Sequence, residues 1–520
     1  MHQFIAKYKD HIQGVVSGFD RLALRGSLRR LNFGKGMEEY LWQNGVLFKD
    51  YQQHVKKISE RVKKASVAPL VAKKLPVIYL RRSDVNKERL AHQLAAERGI
   101  TRGPVCALSC LEPSRTFEHY GTHMVARVRP CLAIYHYGIH PEFGWMHARI
   151  QTWFPFHVQV CLNGREWLAR QMDRERPRYV RQDNCFPWLK DHERAQQLLD
   201  QQLTVHWPEP LQSIAEQLNP IHEAIFQKYP SSYYWTCFQS EWATDILFRP
   251  GELKRLEPLW LQHGMLSFSS PDVMRFLGQK VPLSGRIPAR FARPLATDLK
   301  RRQEGPRIKH RIDGNSVKAY GKAHTPVGDV FRVELTIDQV EQFRVYRPKE
   351  GGPEQELDWR EMRRGIADLH RRAEVSDKAN QRYLNALSQV DDSTRLEELI
   401  RPLEQPQQWN GRRVRALHPF QTDDNRLLES VNRGEFTVNG FRNRDLQRLL
   451  YDAPAKSQQE ARRRSAAVSR KLRLLRAHRL IQKVPRTHRY HVTQFGRLTI
   501  VAVLATQRAS LAQLNIKLAA

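Results

Sequence analysis

The chain has 520 residues, with 86 Lys plus Arg against 54 Asp plus Glu, a formal charge of +32. An excess this large in a folding chain marks a polyanionic partner, nucleic acid first, and argues against neutral small-molecule metabolism. With 41% hydrophobic residues and 11 Trp, the sequence can bury cores and is not a disordered basic tail. The six cysteines, Cys106, Cys110, Cys131, Cys161, Cys185 and Cys237, lack the spacing of a disulfide framework and read as reduced thiols. No signal-like or membrane-spanning apolar run is evident, so the expectation is a cytoplasmic, nucleoid-associated protein of multidomain α+β class.

Residues 1–70 read as a helical region after a short β-like start. Tyr51, Val55, Ile58 and Val62 recur at helical spacing, with lysines on the other faces. Ahead of them, GFDRLALRGSLRR carries Arg21, Arg25, Arg29 and Arg30, a pattern that suits phosphate contact and surface salt bridges equally. Residues 71–200 read as an α/β sandwich: a mainly antiparallel sheet with helices on one face, whose open face can host DNA or RNA. Asn163-Gly164 reads as a hairpin turn, and Gly138 with Pro141 as a loop. Residues 201–350 are a mixed α+β region with a basic stretch and a hairpin, and 351–435 a helical connector containing DWREMRRGIADLHRRA.

The last segment, 436–520, carries the most specific signal. Phe441–Tyr451 reads as a first helix, Gln458–Leu480 as a long basic helix, and Ile481–Val484 and Tyr490–Val492 as short strands, followed by a terminal helix. Val468, Leu472 and Leu475 fall on the inner face of the long helix, and Arg463, Ala466, Arg470, Arg473 and Ala477 on the outer face. Nine Arg, two Lys and no acid lie between 462 and 489. The order and the phrase LRLLRAHRLIQKVPRTHRYHVT resemble the winged helix-turn-helix family. That resemblance implies duplex DNA docking by Arg462, Arg463, Arg470 and Arg473 on the recognition helix, with Arg486 and Arg489 at the wing.

Familiar nucleotide, hydrolase and zinc signatures are absent, so any chemistry rests on looser constellations. Glu241 and Asp245 share a face if SEWATDIL is helical, and with Glu334 they offer the oxygen ligands that Mg2+ or Mn2+ prefers. The same spacing is also that of an ordinary surface salt-bridge pair. Cys131, His136, His140, His147, His157 and Cys161 are dense but match no ligand code, and satisfied structural histidines are the default reading. Aromatic and basic residues interleave around Arg149 and Arg165, which suits base stacking as well as a core.

Between Lys309 and Ile337 a strand with Lys318, Tyr320 and Lys322 precedes one with Arg332 and Glu334. This pair is similar to a hairpin of phage and plasmid rolling-circle replication initiators, although Gly321 follows the tyrosine where those proteins carry an acid. The resemblance implies Tyr320 as nucleophile and Glu334 as metal ligand. The residues themselves read first as a hairpin with a buried Tyr and a cross-strand Arg-Glu pair. Arg301, Arg302, Lys309, Arg311, Lys318 and Lys322 make this stretch a second phosphate-contact candidate. The whole chain resembles large bacterial proteins that accompany mobile elements. Three functions follow as expectations: a DNA-binding protein, a metal-dependent DNA nickase or strand transferase, and a protein that clamps structured RNA.

Overall fold

The computed structural model describes all residues except 83, 269, 279–295, 303–304, 350, 354, 389–394, 434–435, 437–439, 486 and 509–520. The first ten residues of the basic stretch 286–322, and Arg486, thus lie outside the described residues. Two compact units result. One comprises Met1–Asp10, Lys254–Gly321 and Gln381–Ala520; the other, the sheet unit, comprises His11–Leu253 and Lys322–Asn380.

After α1 (His2–Tyr8) the chain enters β1 (Ile12–Leu28), a strand of 17 residues where a short β-like start leading into a helical region is expected. Its sequence misleads because it is buried over most of its length and holds Gly14, Gly18 and Gly26, so polar-apolar alternation is lost. Two of the glycines lie under close neighbours: a Cβ on Gly14 would lie 2.7 Å from His192, which would have to shift, and one on Gly18 would lie 3.1 Å from Leu199. Helices α2 (Gly34–Gln43) and α3 (Tyr51–Ala72) follow. The latter buries Tyr51, Val55, Ile58, Val62 and Leu70, as its spacing predicts.

Next come β2 (Val77–Tyr79) and α4 (Lys87–Glu97), the helix capped by Asn86, whose side chain accepts from the Arg89 amide. A long hairpin, β3 (Gly103–Tyr120) and β4 (His123–His140), turns at Gly121 and keeps Gly138 in strand, not in a loop. Strands β5 (Gly144–Gln151) and β6 (Val158–Asn163) lead directly into α5 (Gly164–Glu175). Asn163-Gly164 is therefore a helix start and not a hairpin turn. The Asn163 side chain accepts from the Arg165 and Glu166 amides, and a Cβ on Gly164 would meet the Phe19 carbonyl at 1.6 Å.

A small hairpin of β7 (Tyr179–Gln182) and β8 (Cys185–Leu189) precedes α6 (His192–Asp200), α7 (Pro208–Leu218) and α8 (His222–Phe226). Then β9 (Tyr233–Phe248) takes the segment containing Glu241 and Asp245, so the helix expected there does not form. Aromatic and β-branched residues dominate it and favour strand. Helices α9 (Glu252–Ser267) and α10 (Ser270–Phe276), and strands β10 (Ala296–Arg302), β11 (Gly305–Ile312), β12 (Asn315–Thr325) and β13 (Gly328–Ile337), complete the middle of the chain. Strand β14 (Arg344–Pro348) pairs with β15 (Leu357–Glu361), which occupies part of the expected helical connector, and α11 (Leu369–Leu387) begins later than predicted. Arg372 of that helix is buried, not outward.

Within the sheet unit the strand order is β13-β9-β1-β6-β5-β4-β3-β2, antiparallel throughout except for the parallel β2–β3 pair. One face carries Leu22, Leu24, Val158, Val160 and Ile150 against Val55, Ile58 and Val62 of α3 and Leu211 and Ile214 of α7. Each such fully buried aliphatic side chain contributes roughly 1.5–3 kcal/mol. The opposite face is covered in two places. Val16, Leu247 and Val330 pack with Leu168, Met172, Leu198 and Leu199 of α5 and α6, while Tyr137 and Trp145 pack with Ala91 and Ala95 of α4.

In the other unit, Trp260 donates to the Tyr8 hydroxyl at 3.0 Å, and His310 and Tyr383 share a hydrogen bond of 3.1 Å. Its C-terminal part runs through α12 (Leu396–Ile400), α13 (Thr422–Val431), α14 (Asn443–Leu450), α15 (Gln458–Ala477), β18 (Ile481–Lys483), β19 (Tyr490–Val492) and α16 (Gln494–Arg508), with the short pair β16 (Gln407–Trp409) and β17 (Arg412–Val414) after α12. Leu427, Leu446, Val468, Leu472, Leu475 and Ile500 form its core. All six cysteines are free, and no helix among the described residues is long and apolar enough to cross a membrane.

Candidate functional site

Three neighbouring strands of the sheet unit bring three carboxylates together. Asp20 on β1, Glu241 on β9 and Glu334 on β13 place their oxygens within 4.8 Å of one another. The register explains the convergence. Glu241 lies opposite Arg21 on one side and Thr336 on the other, and Glu334 lies opposite Ala243. Between Phe19, which faces Trp242, and Arg21, which faces Glu241, Asp20 is an extra residue. It is the inserted residue of a β-bulge, a device that re-aims one side chain.

Asp20 and Glu334 are 6% and 3% exposed, and Glu241 is half-buried. Asp20 accepts from Asn184 Nδ2 at 2.9 and 3.0 Å and from Arg332 Nη1 at 3.1 Å. Asp245 lies apart from the cluster and serves the arginines instead. It accepts from Arg165 Nε and Nη2 at 3.1 and 2.8 Å, and from Arg332 Nε and Nη2 at 2.6 and 2.9 Å. Burial works to raise its carboxyl, but Arg165 and Arg332 outweigh it and hold Asp245 below the usual aspartate range. For Asp20 burial wins: its carboxyl sits above the usual range, pushed further by Glu334 and Asp245 and opposed by Arg332 and Arg165.

The donor set is all oxygen, which suits a hard divalent cation. Opposite ligands of one Mg2+ at about 2.1 Å are about 4.2 Å apart. Adjacent ligands of such an ion are about 3 Å apart, and three ligands include at least two adjacent pairs, so separations of up to 4.8 Å must shorten for all three to hold one ion. Chemically, such a trio supports metal-assisted displacement at a phosphoryl group.

Of the residues nominated from sequence, Glu241 and Glu334 meet, and Asp245 does not join them. Asp20 was missed, although its signal was present as the one acid in the apolar run VVSGFDRLAL. Tyr320 lies in the other unit, 6% exposed, opposite Arg307, whose guanidinium is 6.0 Å from its ring centroid. Lys309 and Lys318 are cross-strand neighbours on β11 and β12, Arg311 pairs with Asp298 at 3.3 Å, and Lys322 belongs to the sheet unit. Arg301 and Arg302 end β10. Arg165, read as a possible phosphate contact, is fully buried in its ion pairs.

The histidines and thiols do not converge with the acids. His136 turns to the core side and bonds Ser66 Oγ at 2.9 Å, while His147 pairs in register with Cys161 on the opposite face. Burial lowers His136, His147 and His157 to about 4, so they are neutral at pH 7.

On α15, Arg462, Arg463, Arg470 and Arg473 are exposed, and Val468, Leu472 and Leu475 are buried, as the spacing predicts. Ala477 is buried and not outward, because the helix ends there with His478 Nε2 against the Arg415 carbonyl at 3.0 Å. Arg489 is half-buried just before β19. Arg464 turns back to Glu460 at 2.6 Å and to the Tyr451 ring at 4.6 Å. No family model matches the chain, and neither the curated proteins nor the solved structures provide a match.

Proposed function

We propose that this chain binds DNA and breaks or transfers its phosphodiester bonds with the help of a divalent cation, as a nickase or strand transferase of mobile-element type. The convergence of Asp20, Glu241 and Glu334 from three adjacent strands carries this reading. Three carboxylates are assembled at the cost of mutual repulsion where any apolar packing would be cheaper, and a cation bound between them offsets that repulsion. Mg2+ or Mn2+ held there supplies Lewis-acid stabilisation of the phosphoryl charge and activation of the attacking hydroxyl.

The protein's own groups do the positioning. Asn184 and Arg332 fix the Asp20 carboxylate, and Asp245 with Arg165 fixes Arg332. Glu241, the more exposed member, faces the approach of substrate.

Docking is assigned to the C-terminal module. The order α14, α15, β18, β19 and α16, and the bridge that joins Phe441 to Tyr490 beside the two strands, support the winged-helix reading. The exposed arginines of α15 then face the duplex. The same face also favours a second reading, a DNA-binding protein without chemistry.

Incubation of the purified chain with supercoiled plasmid and Mg2+ or Mn2+ separates the two. Nicking is expected that chelation stops and that Asp20→Asn, Glu241→Gln and Glu334→Gln each abolish. Intact plasmid under all conditions, with duplex binding retained, leaves the second reading.

A further inference from the structure

Between the areas covered by α4 and by α5 with α6, the sheet face that holds the three carboxylates carries polar side chains. Along β1, Arg21, Ala23 and Arg25 alternate onto this face. Their partners on β6 are Asn163, Cys161 and Gln159, and on β5 Cys161 and Gln159 lie opposite His147 and Arg149. Arg21 is exposed and donates from Nε to Cys161 Sγ at 3.3 Å; Arg25 is half-buried.

Arg25 is the unusual member of the strip. Its guanidinium lies 4.8 Å from the Phe238 ring centroid, and Phe238 is the extra residue of a second bulge, on β9 opposite Ala23 and Leu24. Its buried Nε has no hydrogen-bond partner, and no carboxylate pairs with it among the described residues. Its charged neighbours repel it: burial, then the guanidinia of Arg149 and Arg364, hold its pKa below the ordinary arginine value. Glu112 does not relieve this, being shared by Arg149 Nε at 3.0 Å, Lys87 Nζ at 3.4 Å and the Tyr135 hydroxyl at 2.7 Å. Glu341 is taken by Arg364 at 3.2 Å. A guanidinium without a counter-ion, four residues along β1 from the Arg21–Glu241 pair, fits an incoming oxyanion, because Arg presents a planar fork to phosphate oxygens.

We infer that Arg21 and Arg25, with Arg149 two strands across on the same face, hold the phosphate backbone of a single nucleic-acid strand and lead it along β1 to Asp20, Glu241 and Glu334. This deepens the proposed function and rests on its nucleic-acid reading. Arg21 and Arg25 are four residues apart, about 13 Å along the strand, so they grip separate phosphates. The Phe238 ring supports Arg25 from below and holds its plane.

The test is fluorescence anisotropy of the full chain with a labelled single-stranded 20-mer in EDTA, over a salt series, so that binding is read apart from cleavage. Arg25→Gln and Arg21→Gln are each expected to weaken binding on the order of tenfold at low salt and to reduce the slope of log affinity against log salt by about 1. Arg25→Lys, which keeps the charge, restores most of the loss. Wild-type affinity and slope in both Gln variants would overturn the inference while leaving the proposed function intact; failure of the wild-type chain to bind any DNA would overturn both. Photo-crosslinking of the wild-type chain to a 5-iodouracil 20-mer needs no variant to fold. Adducts at Phe238 or Tyr135 are expected, and adducts confined to 458–489 count against the strip.

Discussion

Asp245 shows how a carboxylate can be central to a site without touching its chemistry. It is 1% exposed and accepts from two arginines that are themselves 0% and 1% exposed. Removing one partner from such a group strands charge in a place water cannot reach, and this costs more than the group contributes while intact. Asp245→Asn is expected to lower unfolding free energy by about 3–5 kcal/mol, read from guanidinium denaturation. It should also weaken Mn2+ binding, since Arg332 loses the anchor that aims it at Asp20; an unchanged denaturation midpoint would count against the network. The acidity of Glu241 and Glu334 was legible in the sequence as carboxylates in basic and aromatic surroundings. The choice between Asp20 and Asp245 was not, because a bulge decides which acid joins the cluster, and a bulge is set by the pairing of strands far apart in the chain.

Among elements, legibility followed locality. Helices α3 and α15 announce themselves through side chains three and four positions apart, and their buried residues match that spacing. Strands β1 and β9 are buried on both faces and lose the alternation by which strands are recognised. The step from β6 into α5 reads as Asn-Gly, a turn pair, yet tertiary packing makes it a cap. There Gly164 is needed for contact, since a Cβ would fall 1.6 Å from the Phe19 carbonyl, next to Asp20. Gly164→Ala must push α5 from β1. A loss of at least about 1–3 kcal/mol is expected from thermal or chemical unfolding, together with loss of nicking, because Arg165 moves with the helix.

At the scale of the molecule, the net charge of +32 pointed to nucleic acid before any element was placed, and two kinds of contact surface emerge from it. The face of α15 is an exposed arginine row, proposed for a duplex; the strip along β1, with Arg21 exposed and Arg25 half-buried, is proposed for one strand. Replacing Arg463, Arg470 and Arg473 together by Ala should cost duplex affinity and flatten its salt dependence by about 2 to 3 in slope, while single-strand binding changes little. Equal losses on both probes would mean that one surface serves both. What no reading of consecutive segments expresses is the joining of residue 20 to residue 334, since the sheet unit is built from His11–Leu253 and Lys322–Asn380 with another unit's chain between them.

That interruption has a consequence in time. During synthesis β1 and β9 are made well before β13, the strand that brings Glu334 beside them. A chain ending before Glu334 carries Asp20, Glu241 and all of Arg21, Arg25 and Arg149, but lacks the third carboxylate. On the proposed function, the order of translation withholds the complete carboxylate trio until nearly two thirds of the polypeptide has been made.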